Sequence, residues 1–177
     1  MSWKPGDRRH DTKSMIRVDQ AGEFGATRIY AGQLAIMGPR SPAARKIAGM
    51  AIQEERHRQF FDRLIVERGV RPTVLQPFWD VAGFALGAAT AVIGPEAAMA
   101  CTAAVETEID KHYAEQLVAL GDEDPELSEA IAEFQAEELE HRDTALANGA
   151  EDAWAYPLLS AAIRLGCRVA IATAKRI

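Results

Sequence analysis

The chain states one pattern twice: a long segment carrying a glutamate, then a second segment carrying Glu-x-x-His. Glu23 precedes Glu54-x-x-His57, and Glu106 precedes Glu138-x-x-His141, at nearly equal separations. Residues three apart share one face of an α-helix, and the surrounding apolar residues keep to those same faces. Ile47, Met50, Glu54, His57, Phe61 and Leu64 form one stripe, and Leu127, Ile131, Phe134, Glu138 and His141 form another. Met99, Ala103, Glu106, Ile109 or Asp110, Tyr113 and Leu117 line up, as do Ile16, Glu23 and Tyr30. An ionised carboxylate on an apolar face is costly, and four of them repel one another. Divalent cations would supply the missing charge. The rival reading puts these glutamates at the margins of their stripes, reaching solvent.

Punctuation between the stripes fixes the architecture. Gly38-Pro39 ends a first helix that begins near Asp11, and Ser41-Pro42 reads as an N-cap with Pro at the first helical position, opening a helix to about Arg68. Gly69 and the loop VRPTVLQP follow, then a strongly apolar helix from Pro77 to Ile93. Gly94-Pro95 starts a fourth helix to Leu120, Asp124-Pro125 a fifth to Ala147, and a sixth covers about Ala153 to Lys175. Alternating β-branched runs are absent. Long helices joined by short polar turns predict an all-α bundle, with residues 1–177 as a single domain.

Composition narrows the function. The 20 Lys+Arg against 26 Asp+Glu leave a net charge of −6, which argues against a nucleic-acid binder. Cys101 and Cys167 form no Cys-x-x-Cys and no disulfide framework, so a reducing compartment is the default. No secretory signal is visible in MSWKPGDRRHDTKS. The longest uncharged run, Val81 to Pro95, falls short of the roughly 18 residues of a bilayer span. Lying on a membrane stays open.

One glutamate from each of two helices and a Glu-x-x-His pair from each of two others is the ligand set of ferritin-like di-metal carboxylate bundles. Four carboxylates and two imidazoles suit iron or manganese and lack the thiolates of structural zinc. Two metals bridged by carboxylates sit about 3.5–4 Å apart, and a di-ferrous site with open positions can activate dioxygen. By the logic of that class, Glu54 and Glu138 bridge, and Glu23 and Glu106 are terminal.

At these residues the sequence resembles the demethoxyubiquinone hydroxylase family. The blocks are VDQAGEFGATRIYAGQ around Glu23, QEERHRQFF around Glu54 and His57, CTAAVETEIDKHYAEQ around Glu106, and EELEHRD around Glu138 and His141. The resemblance runs from about Ser14 to the C-terminal Lys-Arg-Ile, and the Asp-x-Ala-Gly-Glu context of Glu23 is its most specific part. It implies a ferritin-like four-helix bundle with two additional apolar helices. It implies a monooxygenase that uses two Fe ions, O2 and two electrons to hydroxylate the ring of a polyprenylated demethoxyubiquinone or quinol in ubiquinone biosynthesis. The metal ligands it implies are Glu23, Glu54, His57, Glu106, Glu138 and His141. It also implies that His112 and Tyr113 assist electron or proton movement beside the metals. For His112 a surface position near Asp110 and Glu108 is an equal alternative, and for Tyr30 simple core packing.

A substrate with a long isoprenoid tail must be met at a bilayer or on a carrier. The third helix is apolar nearly all round, and the sixth pairs apolar residues with Arg164, Arg168, Lys175 and Arg176, with Trp154 and Tyr156 at one edge. That reads as an interfacial helix, and places the protein peripherally at the cytoplasmic face of the cell inner membrane. Packing on the bundle or on another subunit is the alternative. The partners this allows for include a lipid-binding accessory protein of the pathway and a second copy of the chain. No Gly-x-Gly-x-x-Gly after a strand and no phosphate loop is visible. Electrons would come from a partner reductase, or from NADH reducing the bound quinone itself. A ferroxidase or iron-storage bundle without organic substrate is the main rival. A rubrerythrin-like peroxidase usually adds a four-cysteine iron site, and this chain has 2 cysteines. A purely structural bundle would bind no metal.

Overall fold

A computed structural model describes residues 11–176, and His10 therefore lies outside the described residues. Among those residues there is no strand. The helices are α1 (Thr12–Ile36), α2 (Pro42–Glu67), α3 (Gln76–Ile93), α4 (Pro95–Leu120), α5 (Pro125–Ala147) and α6 (Tyr156–Ala174). Side chains cap three of them, Ser41 at the N-cap position read from the sequence. Asp11 accepts from the Ser14 amide at 3.1 Å, Ser41 from Ala44 at 3.4 Å, and Asp124 from Leu127 at 3.2 Å. At the end of α2, Gly69 takes a positive φ of 58°, which lets the Val70 amide return to the Ile65 carbonyl at 2.9 Å.

One boundary differs. The sixth helix begins at Tyr156, after a 3-10 turn over Ala150–Asp152 and a left-handed Ala155 (φ 54°). Pro157, with its fixed φ and missing N–H, suits the first turn of a helix and resists the interior of a longer one.

Short loops make α1 with α2, and α4 with α5, antiparallel neighbours. These four helices form the bundle, and α3 and α6 lie outside it. α3 packs chiefly along α1 and also touches α4, whereas α6 packs on α4 and α1. The crossing of α1 and α3 is close because two glycines permit it. A Cβ at Gly87 would lie 1.9 Å from the Ile29 carbonyl oxygen, and one at Gly32 would lie 2.1 Å from that of Phe84.

The two largest apolar clusters lie at the two ends of the bundle, and smaller ones lie where α3 and α6 pack on it. Tyr30, Ile47, Met50, Met99 and Ala103 build one end, and Ile16, Phe61, Leu64, Leu120, Leu127 and Ile131 build the other. The stripes of α1, α2 and α4 run from one end across a polar band into the other, and that of α5 runs from the second end into the band. Burying a large apolar side chain contributes about 1.5–3 kcal/mol, and these ends hold the polar band in a fixed, water-poor frame.

Candidate metal centre

The polar band contains the six residues singled out by the repeated pattern. Glu54 and His57 are 0% exposed, Glu23 and Glu106 1%, Glu138 0% and His141 2%. The margin-of-stripe reading therefore fails: no carboxylate of the set reaches solvent. They form two overlapping groups, Glu23, Glu54, His57 and Glu138, and Glu54, Glu106, Glu138 and His141. Within each group one donor atom per residue lies within 4.8 Å of the others, and Glu54 and Glu138 belong to both. The shared pair is the pair that the di-metal class assigns as bridging.

Both imidazoles turn Nδ1 inward. His57 Nδ1 is 3.0 Å from Glu138 Oε1 and 3.5 Å from Glu23 Oε2, and His141 Nδ1 is 3.1 Å from Glu54 Oε1 and 3.2 Å from Glu138 Oε2. The outward Nε2 atoms are held separately, that of His57 by Glu137 Oε2 at 2.6 Å and that of His141 by Gln53 Oε1 at 2.9 Å. The His57 ring stacks on Phe134 with centroids 4.1 Å apart.

Burial disfavours charge here, and crowding of like charges compounds it. Burial lifts Glu54 and Glu106 well above the ordinary carboxylate range, and the Glu138 charge adds to both. Glu138 is also raised, by burial first, with His57 opposing. For His57 burial acts downward, but the nearby carboxylates of Glu138 and Glu23 outweigh it and raise the imidazole to about 10. Proteins rarely leave buried polar atoms unpaired. Here Glu23 Oε2, both Glu54 oxygens, His57 Nδ1, Glu106 Oε2 and Glu138 Oε1 have no hydrogen-bond partner. All of these orphaned atoms face one small volume and belong to the six residues. Their oxygen and nitrogen chemistry suits hard or borderline divalent cations, so this donor set fits a pair of them.

Each carboxylate contributed singly receives a tyrosine from the opposite helix. Tyr30 Oη donates to Glu106 Oε1 at 2.7 Å, and Tyr113 Oη donates to Glu23 Oε1. Burial and neighbouring carboxylates push both phenols well above their ordinary value. Core packing alone does not describe Tyr30. Nor is His112 a surface residue near Asp110 and Glu108: it is 8% exposed, with Nε2 at 2.9 Å from Gln116 Nε2 and 3.4 Å from Asp19 Oδ1. Gln116 in turn donates to Asp19 at 2.8 Å. A polar recess of about 240 Å³, bordered by Ser14, Glu115, Lys175 and His112, opens beside this trio.

Sequence reasoning missed Asp19, Gln116, Gln53 and Glu137. The last two had a signal: each immediately precedes the glutamate of a Glu-x-x-His pair.

On the other side of α1 and α4 lies a cavity of about 480 Å³ whose lining carries no charged residue. Gly22 and Gly25 of α1, Trp79 of α3, Val105 of α4, and Ile163 and Ala170 of α6 line it. A Cβ at Gly22 or Gly25 would meet nothing within 4 Å, so the missing side chains leave open space beside the cavity. Gly22 and Val105 are chain neighbours of Glu23 and Glu106, which brings the cavity alongside the cluster.

α6 is long and apolar enough, by length and composition, to cross a membrane, a property that uncharged-run length alone did not show. Its two internal arginines are engaged by the protein. Arg164 Nε lies 2.6 Å and Arg168 3.3 Å from Oε1 of the buried Glu108 on α4. Phe78, Val81 and Val92 of α3, with Leu158, Leu165 and Val169 of α6, are more than half exposed.

Residues 10–174 match the family model described as ubiquinone biosynthesis protein COQ7. The chain is 53% identical over 162 residues to 3-demethoxyubiquinol 3-hydroxylase of Rhodospirillum rubrum, covering 92% of this chain and 76% of that protein. It is 52% identical over 167 residues to the human NADPH-dependent 3-demethoxyubiquinone 3-hydroxylase, mitochondrial, with the same coverage. The yeast 5-demethoxyubiquinone hydroxylase, mitochondrial, is 42% identical over 179 residues, covering 92% of this chain and 77% of that protein.

Proposed function

The chain belongs to the family of ubiquinone biosynthesis protein COQ7, and from that premise we propose that its six-residue cluster is the di-iron centre of a demethoxyubiquinone hydroxylase. The observation that supports this is the pair of overlapping four-residue groups sharing Glu54 and Glu138. Glu23, Glu54, His57 and Glu138 would hold one iron, and Glu54, Glu106, Glu138 and His141 the other. Bound there, the irons supply the reduction of O2 by two electrons and the insertion of one oxygen atom into a ring C–H bond, the other leaving as water.

The chain's own residues do the rest. Tyr30 and Tyr113 orient the Glu106 and Glu23 carboxylates from opposite helices and keep a proton at each. The two apolar ends of the bundle exclude water from the band between them. The uncharged cavity between α1, α3, α4 and α6 accepts the substrate's apolar portion and directs its ring towards the Glu23 and Glu106 side of the cluster. His112, bridged to Asp19 and Gln116 beside the polar recess, provides a route for protons towards Tyr113. A reduced nicotinamide is the electron source we favour, because the human and mouse relatives are named as NADPH-dependent.

Peripheral membrane association belongs to the same reading. The exposed apolar faces of α3 and α6 flank the cavity, so lipid contact would place its mouth at the bilayer. The engagement of Arg164 and Arg168 with Glu108 leaves Lys175 and Arg176 for anionic headgroups.

Anaerobic loading with ferrous iron, followed by O2, NADH and a demethoxyquinone analogue, tests the proposal. Two irons per chain and a hydroxylated product, both lost in Glu138→Ala, would support it. Iron that oxidises without product would favour the ferroxidase alternative.

A further inference from the structure

Each of the two histidines of the cluster is gripped from the opposite helix, and by a different kind of side chain. Glu137 sits one residue before Glu138 on α5, which turns it about 100° around the helix and away from the cluster. It thereby faces α2 and accepts from His57 Nε2 at 2.6 Å. Gln53 sits one residue before Glu54 on α2, faces α5, and takes His141 Nε2 at 2.9 Å. The positions correspond, but one is an anion and the other a neutral amide.

The difference has chemical content. A carboxylate only accepts, so in the neutral imidazole that a cation requires, Glu137 holds the His57 proton on Nε2 and leaves Nδ1 for the cluster. Arg56 forks onto both Glu137 oxygens and also lies 3.3 Å from Glu133, which fixes Glu137 and keeps it ionised. A carboxylate behind an imidazole polarises it and makes it a stronger donor. An amide accepts more weakly, and it can turn its NH2 inward. That would place the His141 proton on Nδ1, where it blocks ligation.

We propose that Glu137 and Gln53 are positioning residues that make the two metal positions unequal, the position beside His57 binding first and more tightly than the one beside His141. This rests on the reading of the cluster as a di-metal centre. The second position is then the exchangeable one.

Cobalt(II) titration of the metal-free 177-residue chain tests this without any turnover. Binding is followed by visible absorption and by competition with a chelator of known affinity. Wild-type protein should bind two cobalt ions in separable steps. Glu137→Gln should weaken the first step by about 10- to 100-fold, bringing the two together. Gln53→Glu should strengthen the second step and shift its absorption band, a gain that a merely structural role does not produce. Circular dichroism of each variant confirms the helices. If wild type binds two ions and Glu137→Gln leaves both steps unchanged, this inference falls and the di-metal reading stands. If wild type binds no cobalt, both fall.

Discussion

The Tyr30 hydroxyl of α1 donates to Oε1 of Glu106 on α4 across 2.7 Å, with both side chains almost wholly buried. Tyr113 of α4 returns the arrangement to Glu23 of α1. The bundle therefore carries a two-fold logic in its hydrogen bonds, with each half of the repeated pattern supporting the carboxylate of the other.

Replacing Tyr30 by Phe leaves Glu106 Oε1 buried without that donor. The cost of such an orphaned group is about 1–3 kcal/mol. Urea unfolding of the metal-free Tyr30→Phe chain should show a loss of this size. An unchanged midpoint would mean that the hydroxyl does not hold the carboxylate.

The metal-free protein should lose stability as pH rises, and the metal-loaded protein should not. Glu54, Glu106 and Glu138 are raised above the ordinary carboxylate value, chiefly by burial, and His57 is raised from 6.5 to about 10. Groups whose folded pKa is raised bind protons more tightly in the native state, so the stability they contribute at low pH is lost on climbing through the folded value. His141 is lowered by burial, and its opposing contribution is complete by 6.5, the ordinary value of an imidazole. Above pH 6.5 the shifts of Glu54, Glu106, Glu138 and His57 thus act in one direction. Denaturation of metal-free and metal-loaded chains between pH 6.5 and about 9 should show a widening gap.

Glycines separate packing from cavity. Gly87→Ala places a methyl 1.9 Å from the Ile29 carbonyl and forces α1 and α3 apart, a loss of about 1–3 kcal/mol or more. Gly25→Ala meets nothing within 4 Å, so helix propensity should stabilise the chain by about 0.5–1 kcal/mol. Thermal unfolding of the two variants checks the opposite signs.

The helices were legible in the sequence because Pro, Gly and capping residues punctuate them and the stripes run without interruption. The six cluster residues were legible for the same reason: Glu-x-x-His at helical spacing identifies both a face and a chemistry. The partners behind them were not. Tyr30 looked like core because its phenol points across the bundle to α4, and Asp19 gains meaning only when α4 brings His112 and Gln116 against it. Arg164 and Arg168 looked like free surface charge because Glu108 is far from them in the chain.

The faces of α6 separate two roles. Leu158, Leu165 and Val169 are exposed, so replacing all three by Ser should weaken binding to vesicles containing anionic lipid while metal content holds. Ala170 lines the cavity, so Ala170→Phe should leave vesicle binding intact and raise KM for a long-tailed quinone. Charge reversal at Arg164 is a poor probe of lipid contact, because it would set a carboxylate against the buried Glu108. Vesicle flotation beside steady-state kinetics distinguishes these outcomes.

The most direct measurement of the account's central claim is the origin of the oxygen atom in the product. Iron-loaded protein, a demethoxyquinone substrate and reductant are placed under isotopically heavy dioxygen, and the product is weighed by mass spectrometry. A hydroxylated quinone carrying one heavy oxygen, absent from the Glu138→Ala reaction, is the predicted result. Product without the heavy atom, or equal product from Glu138→Ala, would contradict the assignment of this cluster as the oxygen-activating centre.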